Sequence, residues 1–349
     1  MDDMTIESFE AMPSPDQVQA ERPASAAALR TVAQGRSTLK AILDRRDPRR
    51  FLVVGPCSIH DPEAGLEYAR RLAALAREVA DSLVLVMRVY FEKPRTATGW
   101  KGFINDPRLD GTFHIEEGVR RARAFLLQVA ELGLPAGTEA LDPLTPLYLG
   151  DLISWTAIGA RTAESQTHRE MSSGLPTAVG FKNGTDGDLQ VAVNGILAAA
   201  SRHSFLGING QGSASVLRTR GNRHGHLVLR GGGGRPNFDR GHVALAEQAL
   251  AAAGLPGNIL VDCSHANSFR NPELQPLVMA DCLDQIGRGN QSIVGLMLES
   301  FLVEGNQPLP ADPRGLRYGC SITDACLDWE RTERLIRGAR EQLRGRGSM

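Results

Sequence analysis

The sequence lacks the features that direct a chain into or across a membrane. No apolar run approaches the ~18 residues that a membrane-spanning helix needs. The N-terminal segment, MDDMTIESFE, is acidic and has neither the basic nor the apolar region of a secretory signal peptide. We therefore expect a soluble cytoplasmic protein without a membrane partner.

The sequence also lacks a large net charge of either sign, and it contains few cysteines. The 39 Lys and Arg residues balance 40 Asp and Glu residues and leave a net charge of -1, so no broad electrostatic field attracts nucleic acid. Any bound anion must therefore meet local cations. An odd number of widely spaced cysteines, in a chain of 349 residues, favours reduced thiols, one of which could bind a metal as thiolate. The cysteines are Cys57, Cys263, Cys282, Cys320 and Cys326.

The chain divides near residue 45. Before it, Pro13, Pro15 and Pro23 interrupt an acidic and poorly periodic stretch, and an Ala-rich helical pattern follows from about residue 25 to residue 43. We interpret residues 1–45 as an N-terminal arm with one helix, outside the main fold. The length of 349 residues fits one large α/β barrel or two ordinary domains. We assign residues 46–349 to the main fold.

Beyond residue 50, short apolar runs alternate with longer amphipathic stretches, which is the pattern of β/α units around a buried parallel sheet. The runs cover residues 51–54, 83–89, 135–141, 155–160, 177–182, 226–230, 258–264 and 292–299. Eight such units predict a closed (β/α)8 TIM barrel. Between the fifth and sixth runs, residues 204–222 predict an inserted β-hairpin. This hairpin either covers one end of the sheet or serves regulation or oligomerisation.

Ionic side chains close most of the apolar runs. In a barrel, catalytic groups come from the carboxyl ends of the strands, so these positions predict the active site. The cations at or just after the strand ends are Arg88, Lys93, Arg161, Lys182 and Arg230, and Glu139 closes the third run. Their mutual repulsion implies a multiply charged anion, such as a phosphorylated carboxylate.

A second group of residues at these ends could ligate a metal: Cys57, His265, Glu299 and Asp324. One thiolate, one imidazole and two carboxylates do not match a closed structural zinc site and favour one catalytic divalent ion, Mn²⁺, Fe²⁺, Co²⁺ or Zn²⁺. Taken singly, each residue also has a structural explanation, such as a small buried thiol after a Gly-Pro turn. The loop 92–102 carries further cations and predicts a second anion site, with a basic surface loop as the alternative.

Several long motifs carry a resemblance to known enzymes. They are GPCSIHDP, MRVYFEKPRT, GWKGFINDP, LDGTFHIEEG, TEALDP, ISWTAIGARTAESQTHRE, GFKNGTDG, LRGG, DCSHANS, GLMLESFLVEGNQ and YGCSITDAC. In these motifs the sequence resembles the microbial type I 3-deoxy-D-arabino-heptulosonate 7-phosphate (DAHP) synthases of the aromatic-amino-acid-sensitive subclass. The resemblance implies a metal-dependent transferase, 3-deoxy-7-phosphoheptulonate synthase, with an N-terminal extension and an inserted hairpin. Such an enzyme condenses phosphoenolpyruvate with erythrose 4-phosphate and water, releases phosphate and begins the shikimate pathway to chorismate.

The resemblance also assigns binding roles by position. The metal ligands would be Cys57, His265, Glu299 and Asp324. The phosphoenolpyruvate site would comprise Arg88, Lys93, Lys101, Glu139, Arg161, Lys182 and Arg230. The aldose phosphate would bind Arg95 and Thr96.

Catalytic roles follow from the same resemblance. The residues concerned are Lys93, Asp324 and His265. We hypothesise that the metal polarises the aldehyde oxygen, that C3 of phosphoenolpyruvate attacks, and that Lys93 transfers the proton. Cys326 would reach Cys57 when metal is absent, which predicts oxidation-sensitive activity.

The segments that shape the inhibitor pocket of this family are altered. Leu147 stands where Gln is common, Pro176 stands where Ser is common, and the hairpin sequence GINGQGSAS lacks the usual Lys. Inhibition by Phe, Tyr or Trp through a reshaped pocket and a desensitised copy in secondary metabolism are both open. The resemblance implies a homodimer or a homotetramer. The alternatives in function are a synthase of the eight-carbon sugar acid, which takes a pentose phosphate, and a non-catalytic homologue that binds an aromatic amino acid.

Overall fold

Parallel strands at the centre of the molecule form a closed barrel. The computed structural model describes residues 5–95 and 97–344, and the strands in this part are β1 (Arg50–Gly55), β2 (Leu83–Arg88), β3 (Ala136–Glu139), β4 (Trp155–Ile158), β5 (Ala178–Lys182), β6 (Ser204–Ile208), β7 (Ala214–Arg218), β8 (Gly225–Leu229), β9 (Ile259–Asp262) and β10 (Ile293–Glu299). The barrel closes in the order β1, β10, β9, β8, β5, β4, β3, β2. Each predicted apolar run overlaps one barrel strand, so the predicted (β/α)8 fold is confirmed.

Helices pack around the strands and extend the chain at both ends. They are α1 (Pro15–Glu21), α2 (Ala26–Leu43), α3 (Pro62–Glu78), α4 (Ile115–Glu131), α5 (Thr145–Leu149), α6 (Gln166–Gly174), α7 (Gln190–Ala200), α8 (Arg240–Ala252), α9 (Gln275–Gly287) and α10 (Trp329–Arg344). Capping side chains and prolines determine where several of these helices begin. Before α3, the Asp61 carboxylate accepts hydrogen bonds from the backbone amides of Glu63 and Ala64, and Pro62 occupies the first helical turn. No helix in the described part of the chain is long and apolar enough to cross a membrane.

The helix α2 closes the barrel at the end where the strands begin. Its Leu39 and Ile42 share one buried apolar cluster with Phe51 and Val53 of β1, whereas the alternate residues of β1 join the cluster that packs against the outer helices. The end of α2 is tied to β9 because Asn258 donates to the backbone oxygen of Leu43 at 3.0 Å. This packing leaves the opposite end of the barrel open. The division of the chain at residue 45 stays a prediction.

The inserted hairpin is present between the fifth and sixth strands of the barrel. Strands β6 and β7 pair antiparallel as a separate two-stranded sheet, with Phe205 opposite Leu217. The tip of the hairpin contacts α1, where the backbone amide of Asp16 donates to the oxygen of Gly210 at 2.8 Å. The hairpin therefore lies on the outside of the barrel and joins it to the N-terminal segment.

Candidate active site

The carboxyl ends of the barrel strands surround one open cavity. Many of the predicted site residues line it: Lys93, Arg95, Glu139, Arg161, Lys182, Arg230, His265 and Asp324. Cys57, Arg88 and Glu299 are buried beside it. Because parallel strands all end on the same side, residues that are far apart in sequence meet at this mouth.

Three of the four predicted metal ligands meet next to the cavity. The ligand atoms of Cys57, Glu299 and Asp324 all lie within 4.8 Å of one another, which is close enough to share one ion. Burial raises the pKa of the Cys57 thiol, and the Glu299 carboxylate adds to the rise. Lys93 donates from Nζ to Cys57 Sγ at 3.2 Å. A largely buried thiol between two carboxylates suits a divalent cation, which would keep the sulfur as thiolate.

The fourth predicted ligand, His265, lines the cavity but lies outside this group of three in the described part of the chain. Its ring nitrogen Nδ1 lies 3.0 Å from Asp262 Oδ2 and 2.8 Å from Ser264 Oγ. A histidine that donates from Nδ1 to a carboxylate keeps Nε2 for a metal, as metal-bound histidines usually do. Asp262 therefore favours the tautomer of His265 that a metal ligand needs.

Cations dominate the lining of the cavity. Within the described residues, six of them face two carboxylates: Lys93, Arg95, Arg161, Lys182, Arg230 and Arg270 against Glu139 and Asp324. Burial lowers the pKa of the Arg230 guanidinium; Asp262 partly offsets this, and Arg270 and Arg161 lower the pKa further. A multiply charged anion would relieve this repulsion.

Two residues predicted for phosphoenolpyruvate do not line the cavity. Arg88 is fully buried, donates to Glu299 Oε1 at 2.9 Å, and lies 3.8 Å from the centre of the Tyr90 ring. Lys101 is exposed, and only its backbone is tied to the site, where its oxygen accepts from the amide of Lys93 at 2.9 Å. The predicted residue Thr96 lies outside the described residues.

Comparison with known proteins agrees with this geometry. A model of the DAHP synthetase I family matches residues 25–337, which is most of the chain. The chain belongs to this family. The family predicted from the motifs is thereby confirmed.

Members of the DAHP synthetase I family from other organisms are similar over almost their whole length. The Tyr-sensitive phospho-2-dehydro-3-deoxyheptonate aldolase of Salmonella typhimurium is 52% identical over 345 residues, covering 99% of this chain and 97% of the relative. The Phe-sensitive enzyme of Escherichia coli is 49% identical, with 99% and 98% covered. The solved structure of the aldolase from Francisella tularensis has a TM-score of 0.95 at 42% identity and covers 98% of this chain and 99% of that one. These similarities confirm the predicted enzyme class.

Two charged residues of this family member escaped the sequence analysis. Asp262 is fully buried and lies 3.2 Å from Lys182 Nζ. Burial alone would raise its pKa, but His265 and Lys182 outweigh burial and hold the pKa of Asp262 well below its ordinary value. A carboxylate inside the apolar run 258–264 must be buried with a partner, so its position in the sequence could have indicated a functional residue. Arg270 lies in the loop beyond that run, where no periodicity marks a functional side chain.

A second cavity lies between the hairpin and the barrel. Both Leu147 and Pro176 line it, and so do Phe205 and Leu217 of the hairpin. Two of the positions that the sequence analysis singled out as altered, Leu147 and Pro176, therefore lie in one cavity, which we call the hairpin groove. Its wall also contains Thr219, whose hydroxyl lies 2.6 Å from that of Ser173.

Proposed function

We propose that this chain catalyses the metal-dependent condensation of phosphoenolpyruvate with D-erythrose 4-phosphate and water, which gives DAHP and phosphate at the first step of the shikimate pathway. The observation that carries the proposal is the placement of the Cys57, Glu299 and Asp324 ligand group directly beside a cavity lined by six cations. A metal beside an anion cradle suits the joining of two phosphorylated substrates, because the metal can polarise a carbonyl oxygen while the cations bind the phosphate groups. Relatives that share about half of the sequence carry the aldolase name.

The metal would be held by Cys57, His265, Glu299 and Asp324, as Mn²⁺, Fe²⁺, Co²⁺ or Zn²⁺. When bound, a divalent ion would polarise the aldehyde oxygen of the acceptor. The neighbouring protein groups prepare these ligands. Arg88 orients the Glu299 carboxylate through its hydrogen bond, and Asp262 orients the imidazole of His265.

Phosphoenolpyruvate would bind the cationic wall formed by Arg161, Lys182 and Arg230, with Glu139 beside them. Arginine forks match phosphate and carboxylate oxygens, and Lys182 adds a point charge that Asp262 fixes in place at 3.2 Å. Arg88 and Lys101 complete the predicted set for this substrate.

Erythrose 4-phosphate would place its phosphate near Arg95, whose Nε donates to the backbone oxygen of Trp100 at 2.9 Å. This bond fixes the side chain of Arg95, which is exposed and lines the cavity. Thr96 follows it in the predicted acceptor motif.

Lys93 would transfer the proton in the condensation. Its Nζ donates to both the sulfur and the backbone oxygen of Cys57, at 3.2 and 3.1 Å, and it lines the cavity. It therefore contacts a predicted metal ligand and also faces the cavity, which is the position that a proton-transferring group of this reaction would need. Asp324 and His265 would contribute to catalysis by holding the metal.

The direct test is release of inorganic phosphate when the purified protein is mixed with phosphoenolpyruvate, erythrose 4-phosphate and Mn²⁺. We expect turnover that EDTA abolishes and that excess Mn²⁺ restores. Replacing erythrose 4-phosphate by arabinose 5-phosphate should reduce the rate strongly. Faster turnover with the pentose phosphate would identify the eight-carbon sugar acid synthase instead, and the absence of turnover with either sugar would favour the non-catalytic homologue.

We also propose that the hairpin groove binds an aromatic amino acid that inhibits the enzyme. The support is its apolar wall, with Phe205 and Leu217 on one side and Leu147 on the other, together with relatives that are named Tyr-sensitive and Phe-sensitive. Inhibition assays with Phe, Tyr and Trp test this. Insensitivity to all three would indicate a desensitised enzyme. Cytoplasmic localisation and a homodimer or homotetramer stay predictions.

A further inference from the structure

The loop after β9 has an unusual backbone. In the described part of the chain, six residues other than glycine have a left-handed backbone, and His265, Phe269 and Arg270 in this loop are three of them, with φ values of 54°, 52° and 61°. Such conformations are unfavourable for side chains other than glycine and persist only where the surroundings enforce them. The sequence nevertheless has no glycine at these positions.

Buried hydrogen bonds enforce this conformation. Asn267, which is almost fully buried, donates from Nδ2 to the backbone oxygens of Leu229 and Asp262 at 3.2 and 2.8 Å. Its side-chain oxygen accepts from the amide of Asn237 at 2.8 Å. The backbone amide of Arg270 donates to the oxygen of His265 at 2.7 Å. The loop is therefore fastened to the ends of β8 and β9, and it places Arg270 at a fixed point of the cavity rim.

The side chain of Arg270 lines the catalytic cavity and is exposed there. Many exposed arginines of the described chain form ion pairs, for example Arg337 with Glu78 at 2.9 Å. No such pair is found for Arg270 among the described residues. Its charge instead acts on two neighbours in the cavity, Arg230 and Asp324. A cation held beside another cation calls for an anion between them.

The order of the strands indicates which anion this is. Arg270 follows β9, which pairs with β8, and Arg230 comes directly after β8. The loop that carries Arg95 follows β2, which is separated from β9 by β1 and β10. Arg270 therefore lies on the side of the barrel proposed for phosphoenolpyruvate and away from the loop proposed for the acceptor phosphate.

We propose that Arg270 is a substrate-binding residue that pairs with Arg230 to bind the phosphate group of phosphoenolpyruvate at the rim of the cavity. The proposal rests on the function proposed above and adds a residue to its donor site. It also explains the absence of glycine at position 270, since glycine would fit the backbone but could not contact an anion. Inorganic phosphate, the product formed from the same group, should compete for this pair of arginines.

The test compares Arg270→Gly, Arg270→Lys and Arg45→Gly with the wild type. Arg45 is a matched control because it is an exposed arginine with a left-handed backbone, φ 59°, that follows α2 at the other end of the barrel. We expect Arg270→Gly to raise the KM for phosphoenolpyruvate and the inhibition constant of inorganic phosphate roughly tenfold. The KM for erythrose 4-phosphate and the kcat should stay within about twofold, because a group that acts mainly in binding stabilises the bound substrate and the transition state equally. Arg270→Lys should recover most of the affinity, and Arg45→Gly should match the wild type.

A thermal melt separates binding from structure. Arg270→Gly should melt at or above the wild-type temperature, because glycine removes the unfavourable backbone. An increase in the KM for erythrose 4-phosphate alone would move Arg270 to the acceptor site and overturn the proposal, and so would unchanged kinetics in Arg270→Gly. If the wild type itself showed no turnover, the proposed function would fail, and this proposal would fail with it.

Discussion

Arg88 and Glu299 form a buried ion pair at the floor of the catalytic cavity, with the guanidinium Nη2 2.9 Å from the carboxylate Oε1. Both side chains are almost completely inaccessible to solvent. Removing one partner leaves the other charge buried without compensation, which typically costs about 3–5 kcal/mol of stability. We therefore expect Arg88→Met to lower the unfolding free energy by that amount in metal-free protein, measured by chemical denaturation.

The control for this prediction is the exposed pair between Arg337 and Glu78. Arg337→Met should cost less than about 1 kcal/mol, because exposed pairs contribute little. The double variant Arg88→Met with Glu299→Leu should regain much of the lost stability while it remains inactive. Equal losses of unfolding free energy in Arg88→Met and Arg337→Met would show that the buried pair contributes no more to stability than the exposed pair.

Removing the thiol of Cys57 should prevent metal binding. The sulfur is one of three ligand atoms within 4.8 Å of one another, so Cys57→Ala should weaken metal affinity roughly 100-fold or more and abolish turnover. Cys263→Ala is the matched control, because Cys263 is equally buried but is outside the ligand group. Metal content by mass spectrometry after dialysis measures the effect. Full occupancy in Cys57→Ala would remove the thiolate from the metal site.

Lys93→Met should separate chemistry from metal binding. The ammonium contacts Cys57 but is not itself a ligand, and general acids contribute about 10²- to 10⁴-fold to rate. Phosphate release should fall by at least that factor while metal content stays at the wild-type level. The control is Lys40→Met, which replaces a lysine of α2 at the closed end of the barrel and should leave turnover unchanged. Turnover retained in Lys93→Met would exclude this lysine as the proton donor.

Oxidation of metal-free protein should join Cys57 to Cys326. Both thiols are free and buried in the structure, and burial raises the pKa of both above the ordinary value of a thiol. We expect air exposure after EDTA treatment to lower the number of titratable thiols by two in denaturant. After this exposure, excess Mn²⁺ alone should not restore activity to the wild type, whereas Mn²⁺ together with a reductant should restore it. Cys326→Ser should recover its activity with Mn²⁺ alone. An unchanged thiol count would contradict the pairing.

Glu92 should make stability depend on pH. Burial raises the pKa of its carboxyl to about 8, and Asp142 and Glu139 add to the rise. The folded protein therefore holds a proton that the unfolded chain loses above its ordinary value of 4.5, so the free energy of unfolding falls as pH rises from about 4.5 to about 8. The slope from this group is at most about 1.4 kcal/mol per pH unit.

Denaturation curves of Glu92→Gln at several pH values test this expectation. The variant should lose this part of the slope and should exceed the wild type in stability at alkaline pH. Glu131→Gln, at the exposed end of α4, is the control and should follow the wild type. Parallel curves for Glu92→Gln and the wild type would show that Glu92 ionises normally.

Much of the fold could be predicted from the sequence, and the reason is the burial of the strands on both faces. Runs such as residues 51–54 are apolar throughout, so they stand out, and the residues after them meet at one mouth by geometry. The seven-residue helix α1 was not predicted, because it begins with the capping box of Ser14 and Gln17 rather than with a periodic pattern.

The details of the site were less accessible to sequence reasoning. Strand-end position does not fix the direction of a side chain, so the sequence did not reveal the buried ion pair between Arg88 and Glu299. The predicted role of Arg88 in phosphoenolpyruvate binding stays a prediction. Residues in loops carry no periodic signal, which is why Arg270 was missed. The role of Asp262 was overlooked because it lies inside an apolar run, where a single charged residue does not by itself indicate a function. In the structure, Asp262 lies close to both His265 and Lys182.

The contact between the hairpin tip and α1 has a practical consequence for handling the protein. The amide of Asp16 donates to the oxygen of Gly210 at the tip of the hairpin, and the strands of the same hairpin contribute Phe205 and Leu217 to the hairpin groove. An affinity tag at the N-terminus would be attached to the segment that makes this contact, so inhibition assays should compare it with a tag at the other end of the chain. A tag after α10, which packs against α9 on the outside of the barrel, leaves this connection undisturbed.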